Sequence, residues 1–84
     1  MHDLHAADQI LKLALDQANE NNILQVKRIV IELGSILEHG EEINPDNLEF
    51  NLKLLAKNTP ADKAEIVIKK IKGFNWRLVE IEGD

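Results

Sequence analysis

The stretch VKRIVIELG, at positions 26–34, carries the clearest structural pattern in this chain of 84 residues. Its apolar and polar side chains alternate with a period of two, which is typical of a β-strand, predicted here at about 25–34. The alternation places Ile29, Ile31 and Leu33 on one side and Arg28, Val30 and Glu32 on the other. One face of the strand is therefore strongly apolar and is expected to be buried by other elements. Gly34 ends the strand.

The segments on either side of this strand predict two helices. Apolar residues recur at three- and four-residue steps over roughly 4–20, and the run NENN at 19–22 ends this amphipathic helix. The second helix begins at Asn44 and Pro45, because Asn is a favoured cap and Pro fits the first helical position. Asn58 ends it.

Two further strands are predicted near the carboxyl end, at 64–71 and 74–81. Lys72 and Gly73 separate them, which is the spacing of a β-hairpin, and the alternation slips before Ile81, as at a β-bulge or a frayed strand end. The only tryptophan, Trp76, is interpreted as a packing residue. The element order is helix, strand, helix, strand, strand.

This order predicts an α+β (α/β) fold in which two helices pack on one face of a small three-stranded mixed sheet. The first two strands should be parallel and the last two antiparallel. Val26, Val30, Val67 and Ile71 are then expected on the uncovered face of the sheet. An exposed apolar patch of this kind predicts a weak homodimer or a partner-binding surface.

Composition narrows the classes of function. The length and the 44% apolar content predict a single domain over 1–84. The chain has no cysteine, which excludes disulfides, thiolate zinc sites and cysteine nucleophiles, and fits a cytoplasmic protein. With 15 acidic and 10 basic residues, the net charge of −5 argues against nucleic acid as a partner. No apolar run predicts a membrane span or a signal peptide.

Catalytic chemistry is not indicated by the sequence. The residues lack cysteine and tyrosine, the single serine is Ser35, and no glycine-rich phosphate loop is present. The abundant glutamates do not by themselves form an acid/base pair. We therefore expect a protein that is not an enzyme.

The amino terminus, MHDLH, holds the most definite chemistry. The terminal amine of Met1 and the amide and imidazole nitrogens of His2 can chelate one ion, and such planar nitrogen ligation suits Ni(II) or Cu(II). Asp3 would supply an oxygen or orient the imidazole, and His5, one turn later, is an auxiliary candidate. The alternative is that Asp3 only caps the helix. His39, among glutamates in a loop, is either a further ligand or a solvated residue.

Five motifs in order resemble the nickel-binding domain of the HypA/HybF hydrogenase maturation proteins. They are MHDL at 1–4, IELG at 31–34, PDNLEF at 45–50, LAKNT at 55–59 and AEIVI at 64–68. The resemblance covers almost the whole chain. It implies a metallochaperone that binds Ni(II) transiently and acts with a maturation GTPase on the large subunit of [NiFe]-hydrogenase, or on urease.

Three departures from the family pattern stand out. Lys72 and Gly73 occupy the place of the family's cysteine-rich zinc domain, so no structural zinc is expected. Asp3 stands where the family has glutamate, and the connection 37–43 is about four residues longer than the family's. A second hypothesis is therefore a metal-free interaction module that keeps the fold and uses the open sheet face.

Overall fold

The computed structural model describes residues 3–35, 37–38 and 41–84 of the chain. Two helices and a three-stranded sheet form the body of the fold, and a two-stranded hairpin lies between β1 and α2. In chain order the elements are α1 (Asp3–Glu20), β1 (Val26–Leu33), β2 (Leu37–Glu38), β3 (Glu41–Glu42), α2 (Pro45–Leu55), β4 (Glu65–Lys70) and β5 (Trp76–Gly83). The predicted α+β fold, with its two helices and mixed sheet, is confirmed.

Helix α1 is amphipathic and contributes mainly small residues to the core. Its buried side chains are Ala6, Ala7, Ile10, Leu11, Ala14 and Ala18. Small side chains permit a close approach of α2, which α1 contacts along with β5. The helix ends in the predicted asparagine run, where Asn22 takes a positive φ of 59° and the Ile23 amide donates to the Ala18 carbonyl at 2.8 Å.

Helix α2 begins at the predicted cap. The Asn44 side-chain oxygen accepts from the amides of Asp46 at 2.8 Å and Asn47 at 3.3 Å, and so satisfies two amides that have no partner within the helix. Leu48 and Leu52 are fully buried. The helix ends at Leu55, and Asn58 then adopts a φ of 65°.

The strand order is β4-β1-β5, so β1 is the central strand. Strand β4 is parallel to β1, as predicted for strands joined through a helix, with Ile29 opposite Ile66. Strand β5 pairs antiparallel with β1, and β4 and β5 are not neighbours. The predicted hairpin of 64–71 with 74–81 is therefore wrong, because the connection 71–75 crosses the end of β1 instead of closing a tight turn.

The predicted phase slip in the last strand is confirmed as an irregularity of register. Val30 lies opposite Glu80, whereas the next residue, Ile31, lies opposite Leu78. Val79 is therefore an extra residue on β5, as in a β-bulge. Trp76 packs against the core, as expected.

The two faces of β1 differ in their surroundings. Ile29, Ile31 and Leu33 are fully buried with the helices. Val30 belongs to the opposite face, as predicted, but only 4% of it is exposed. Val26 was expected on the open face and instead joins the core, because a second register shift between Val26 and Arg28 breaks the alternation.

Charged side chains cover much of the open sheet face. The Arg28 guanidinium bonds Glu82 at 3.1 Å and lies 3.6 Å from Glu65, and Arg77 pairs with Glu32 at 2.8 Å. The apolar area on this face is consequently smaller than the sequence suggested. Among the described helices, none is long and apolar enough to cross a bilayer.

Candidate metal site

Helix α1 bears on the predicted metal site, because the helix begins at Asp3, directly after Met1 and His2. The helix has 18 residues and a length of about 27 Å, and β1 has 8 residues and a length of about 26 Å. The short connection 21–25 joins them, and α1 packs against α2 and β5. Asp3 is the first helical residue, so the predicted ligands Met1 and His2 directly precede α1 in the sequence.

The carboxyl end of β1 also adjoins the β2–β3 hairpin. In that hairpin Leu37 pairs with Glu42 and Glu38 with Glu41. The Glu42 carboxylate lies 3.9 Å from the Lys70 ammonium at the end of β4, which confirms that the hairpin lies at this end of the sheet. The hairpin falls within the connection that the sequence predicts to be long, although its two short strands were not predicted.

The sequence-predicted metal ligands are only partly covered by the structure. Met1, His2 and His39 lie outside the described residues, as does the side chain of Asp3, although the backbone of Asp3 begins α1. His5 is exposed in the first turn of α1. The chelate at Met1 and His2 therefore stays a prediction.

The described part of the chain does not form a metal centre of its own. Among residues 3–35, 37–38 and 41–84, no group of three or more His, Cys, Asp or Glu side chains is arranged to hold an ion. Three glutamates on the sheet are instead paired with cations: Glu32 with Arg77, and Glu65 and Glu82 with Arg28. The donors of the predicted chelate are the nitrogens of the terminal amine, a backbone amide and an imidazole, and they lie outside the described residues.

Nitrogen donors of this kind indicate which metal ions such a site would prefer. Deprotonated amide and amine nitrogens with imidazole favour the planar geometry of Ni(II) or Cu(II), whereas zinc prefers a tetrahedron. The chelate predicted at Met1 and His2 would belong to this class of site.

Comparison with known proteins identifies the family. The model of the family described as "Hydrogenase/urease nickel incorporation, metallochaperone, hypA" matches residues 1–76. This match covers most of the chain, including its amino terminus and every helix. The chain belongs to the HypA family of hydrogenase and urease nickel-incorporation metallochaperones.

Individual relatives agree with this assignment. The hydrogenase maturation factor HypA of Methanobrevibacter smithii is 37% identical over 71 residues, which are 84% of this chain and 54% of that protein. The HypA of Rhizobium leguminosarum bv. viciae is 30% identical over 78 residues, or 93% of this chain and 66% of that protein. The chain thus spans between about half and two-thirds of the length of these curated relatives.

The fold is also that of a solved family member. The solution structure of the Ni metallochaperone HypA from Helicobacter pylori superposes with a TM-score of 0.78 at 12% identity. The superposition covers 98% of this chain and 97% of that chain. At this identity the likeness establishes the architecture of two helices on a mixed sheet.

Proposed function

We propose that this protein is a nickel metallochaperone that binds one Ni(II) at its amino terminus and releases it to a maturing enzyme. The observation that carries the proposal is the family match over residues 1–76, which includes Met1 and His2. The fold supports it, because α1 begins at Asp3 and ties the terminal residues to a rigid element.

In this proposal the terminal amine of Met1 and the amide and imidazole nitrogens of His2 hold the ion. The Asp3 carboxylate supplies an oxygen or orients the His2 imidazole, as carboxylates near metal-bound histidines commonly do. His5 is exposed one helical turn away and serves only as an auxiliary ligand. Each donor nitrogen must lose a proton to coordinate, so the site takes up Ni(II) in neutral to alkaline solution.

The chain's role is transfer of an ion by ligand exchange, with no bond made or broken in a substrate, and so it is not an enzyme. Its cytoplasmic partners would be a hydrogenase-maturation GTPase and the large subunit of [NiFe]-hydrogenase, or urease. The resemblance places the family's cysteine-rich zinc module between the last two strands, where this chain has the connection 71–75. We therefore propose a single nickel-binding domain that needs no zinc to fold.

The direct test is calorimetric titration of the untagged protein with Ni(II), because a tag would block the terminal amine. We expect about one Ni(II) per chain, lost in His2→Ala. His5→Ala is the matched control, since it removes an exposed imidazole one turn away and should change the affinity by less than about threefold. Unchanged binding in His2→Ala would refute the ligand assignment.

A parent protein that binds no nickel would favour the metal-free interaction module. The ion pairs that Arg28 and Arg77 make on the open sheet face give that alternative less apolar area to use than the sequence suggested.

A further inference from the structure

Residues 69–77, KKIKGFNWR, form a segment that we call the basic loop. It contains four of the ten lysine and arginine residues of the chain and no acidic residue, although the whole chain carries −5. It runs from the end of β4 to the start of β5 and crosses the end of β1 between them. The basic loop is thus a local cationic surface on an acidic protein.

Apolar side chains are exposed within the basic loop. Phe74 is 83% exposed and Ile71 is also solvent-exposed, although aromatic side chains of this size are ordinarily buried. Beside them lies an open recess of about 440 Å³, which residues 71–77 line together with Glu32. The loop therefore offers an apolar contact and a concave surface at one place.

Hydrogen bonds to the end of β1 hold the basic loop in a defined shape. The Gly34 amide donates to the Asn75 carbonyl at 2.9 Å, and the Ser35 amide donates to the Gly73 carbonyl at 2.8 Å. The Ile71 amide donates to the Leu33 carbonyl at 3.0 Å. Because the backbone is already ordered, a partner that contacts Phe74 loses little additional loop entropy on binding.

Nearby carboxylates neutralise only part of the positive charge. Glu32 lies between Lys69 and Arg77 in the sheet register and pairs with Arg77, and Glu42 lies near Lys70. Among the side chains that the structure describes here, four cations and these two carboxylates give a formal charge of +2. An anionic partner would be attracted to it and oriented by it.

We propose that the basic loop is a docking site for an acidic segment of another protein, with one large apolar side chain of that segment packed against Phe74 and Ile71. Nucleic acid is disfavoured, because roughly 6–10 phosphate contacts are usual and the rest of this chain is acidic. A symmetric contact with a second copy would bring two basic loops face to face and is opposed by like charge.

The test is selection of random dodecapeptides displayed on phage against the immobilised full chain, in the presence of EDTA so that nickel plays no part. The enriched peptides should combine aspartate or glutamate with a leucine, phenylalanine or tryptophan. Synthetic versions, measured by fluorescence anisotropy, should bind at least about tenfold more weakly to Phe74→Ser and to Lys72→Glu. Phe74→Leu should keep most of the affinity.

Leu24→Ser is the matched control, because Leu24 is as exposed as Phe74, at 85%, but lies in the connection 21–25, ahead of β1. It should bind the selected peptides like the parent. Failure to enrich peptides, enrichment without acidic residues, or equal binding to Phe74→Ser would overturn the proposal. So would tight binding of a uridine-rich RNA dodecamer, or self-association that Phe74→Ser abolishes, because these results assign the surface to nucleic acid or to a second copy.

Discussion

The amide of Gly34 donates a hydrogen bond to the carbonyl oxygen of Asn75 at 2.9 Å, which joins the end of the central strand to the start of the last one. A β-carbon at Gly34 would lie 2.9 Å from that same oxygen and 2.7 Å from the carbonyl oxygen of Gly73. Both contacts are with backbone, which cannot rotate away as a flexible side chain would. The crossing of 71–75 over β1 therefore depends on a residue without a side chain at position 34.

Replacing this glycine should destabilise the protein. Gly34→Ala forces the basic loop away from β1 and should lower the free energy of unfolding by about 1–3 kcal/mol. Urea unfolding followed by the fluorescence of Trp76 measures the change. Ser35→Ala is the control. Because Ser35 is exposed, its substitution should change the free energy of unfolding by less than about 0.5 kcal/mol. Equal midpoints for Gly34→Ala and the parent would contradict the close approach.

The cap of α2 gives a second stability prediction. Asn44→Ala removes the side-chain oxygen that accepts from the backbone amides of Asp46 and Asn47. It should lower the free energy of unfolding by about 0.5–2 kcal/mol. Asn44→Asp keeps the acceptor and should be nearly neutral. Asn47→Ala serves as the control, because it removes only an exposed side chain and keeps the backbone amide that donates to Asn44. A loss in Asn47→Ala as large as that in Asn44→Ala would refute the role of the cap.

Local signals explain why the helices and their ends were predictable. Asn44 and Pro45 define the start of α2 through capping, and Asn22 and Asn58 take the left-handed conformations that asparagine tolerates at helix ends. These interactions involve residues close in sequence. The helix ends can therefore be predicted from the sequence without knowledge of the tertiary fold.

Strand order was harder to predict, because it depends on distant residues. Lys72 and Gly73 between two apolar runs gave the usual hairpin signal, but β1 lies between the two strands. The continuous apolar run Ile29 to Ile31 was the signal that could have indicated this, since a central strand is often buried on both faces. The candidate metal site depends instead on Met1 and His2, which the sequence predicts and which lie outside the described residues.

The open sheet face leads to a prediction about self-association. Val30 is nearly buried and Val26 lies in the core, which leaves Val67, partly exposed, and Ile71, exposed, of the four apolar residues predicted for this face. We expect sedimentation to show a monomer in the micromolar range and weak association near millimolar concentration, which Val67→Glu abolishes. Val30→Glu is unsuitable for this test. An unpaired charge buried there should lower the free energy of unfolding by about 3–5 kcal/mol and so unfold the protein. A parent that stays monomeric at millimolar concentration would exclude a homodimer through this face.

Removing metal should leave the fold intact. The core is built from aliphatic side chains of α1, α2 and the sheet, and the described residues hold no cluster able to bind an ion. Treatment with EDTA should therefore leave the far-ultraviolet circular dichroism and the thermal midpoint unchanged within about 1 °C. Loss of cooperative unfolding after EDTA would reveal a structural metal, and comparison with His39→Ala would show whether His39 holds it.

The proposed terminal chelate makes nickel binding depend on both pH and the free amine. Imidazole and α-amino groups have pKa values of about 6.5 and about 7.7–8.0 in peptides, so protons compete with Ni(II) for both donors as the pH falls. The affinity should consequently drop by at least about a hundredfold between about pH 8 and about pH 5.5. Adding three glycines ahead of Met1 moves the amine out of chelating reach of His2 and should weaken binding at about pH 8 at least tenfold, while circular dichroism shows the same fold. If the extended protein binds nickel as the parent does, the amine is not a ligand, and a flat pH profile would exclude the imidazole as well.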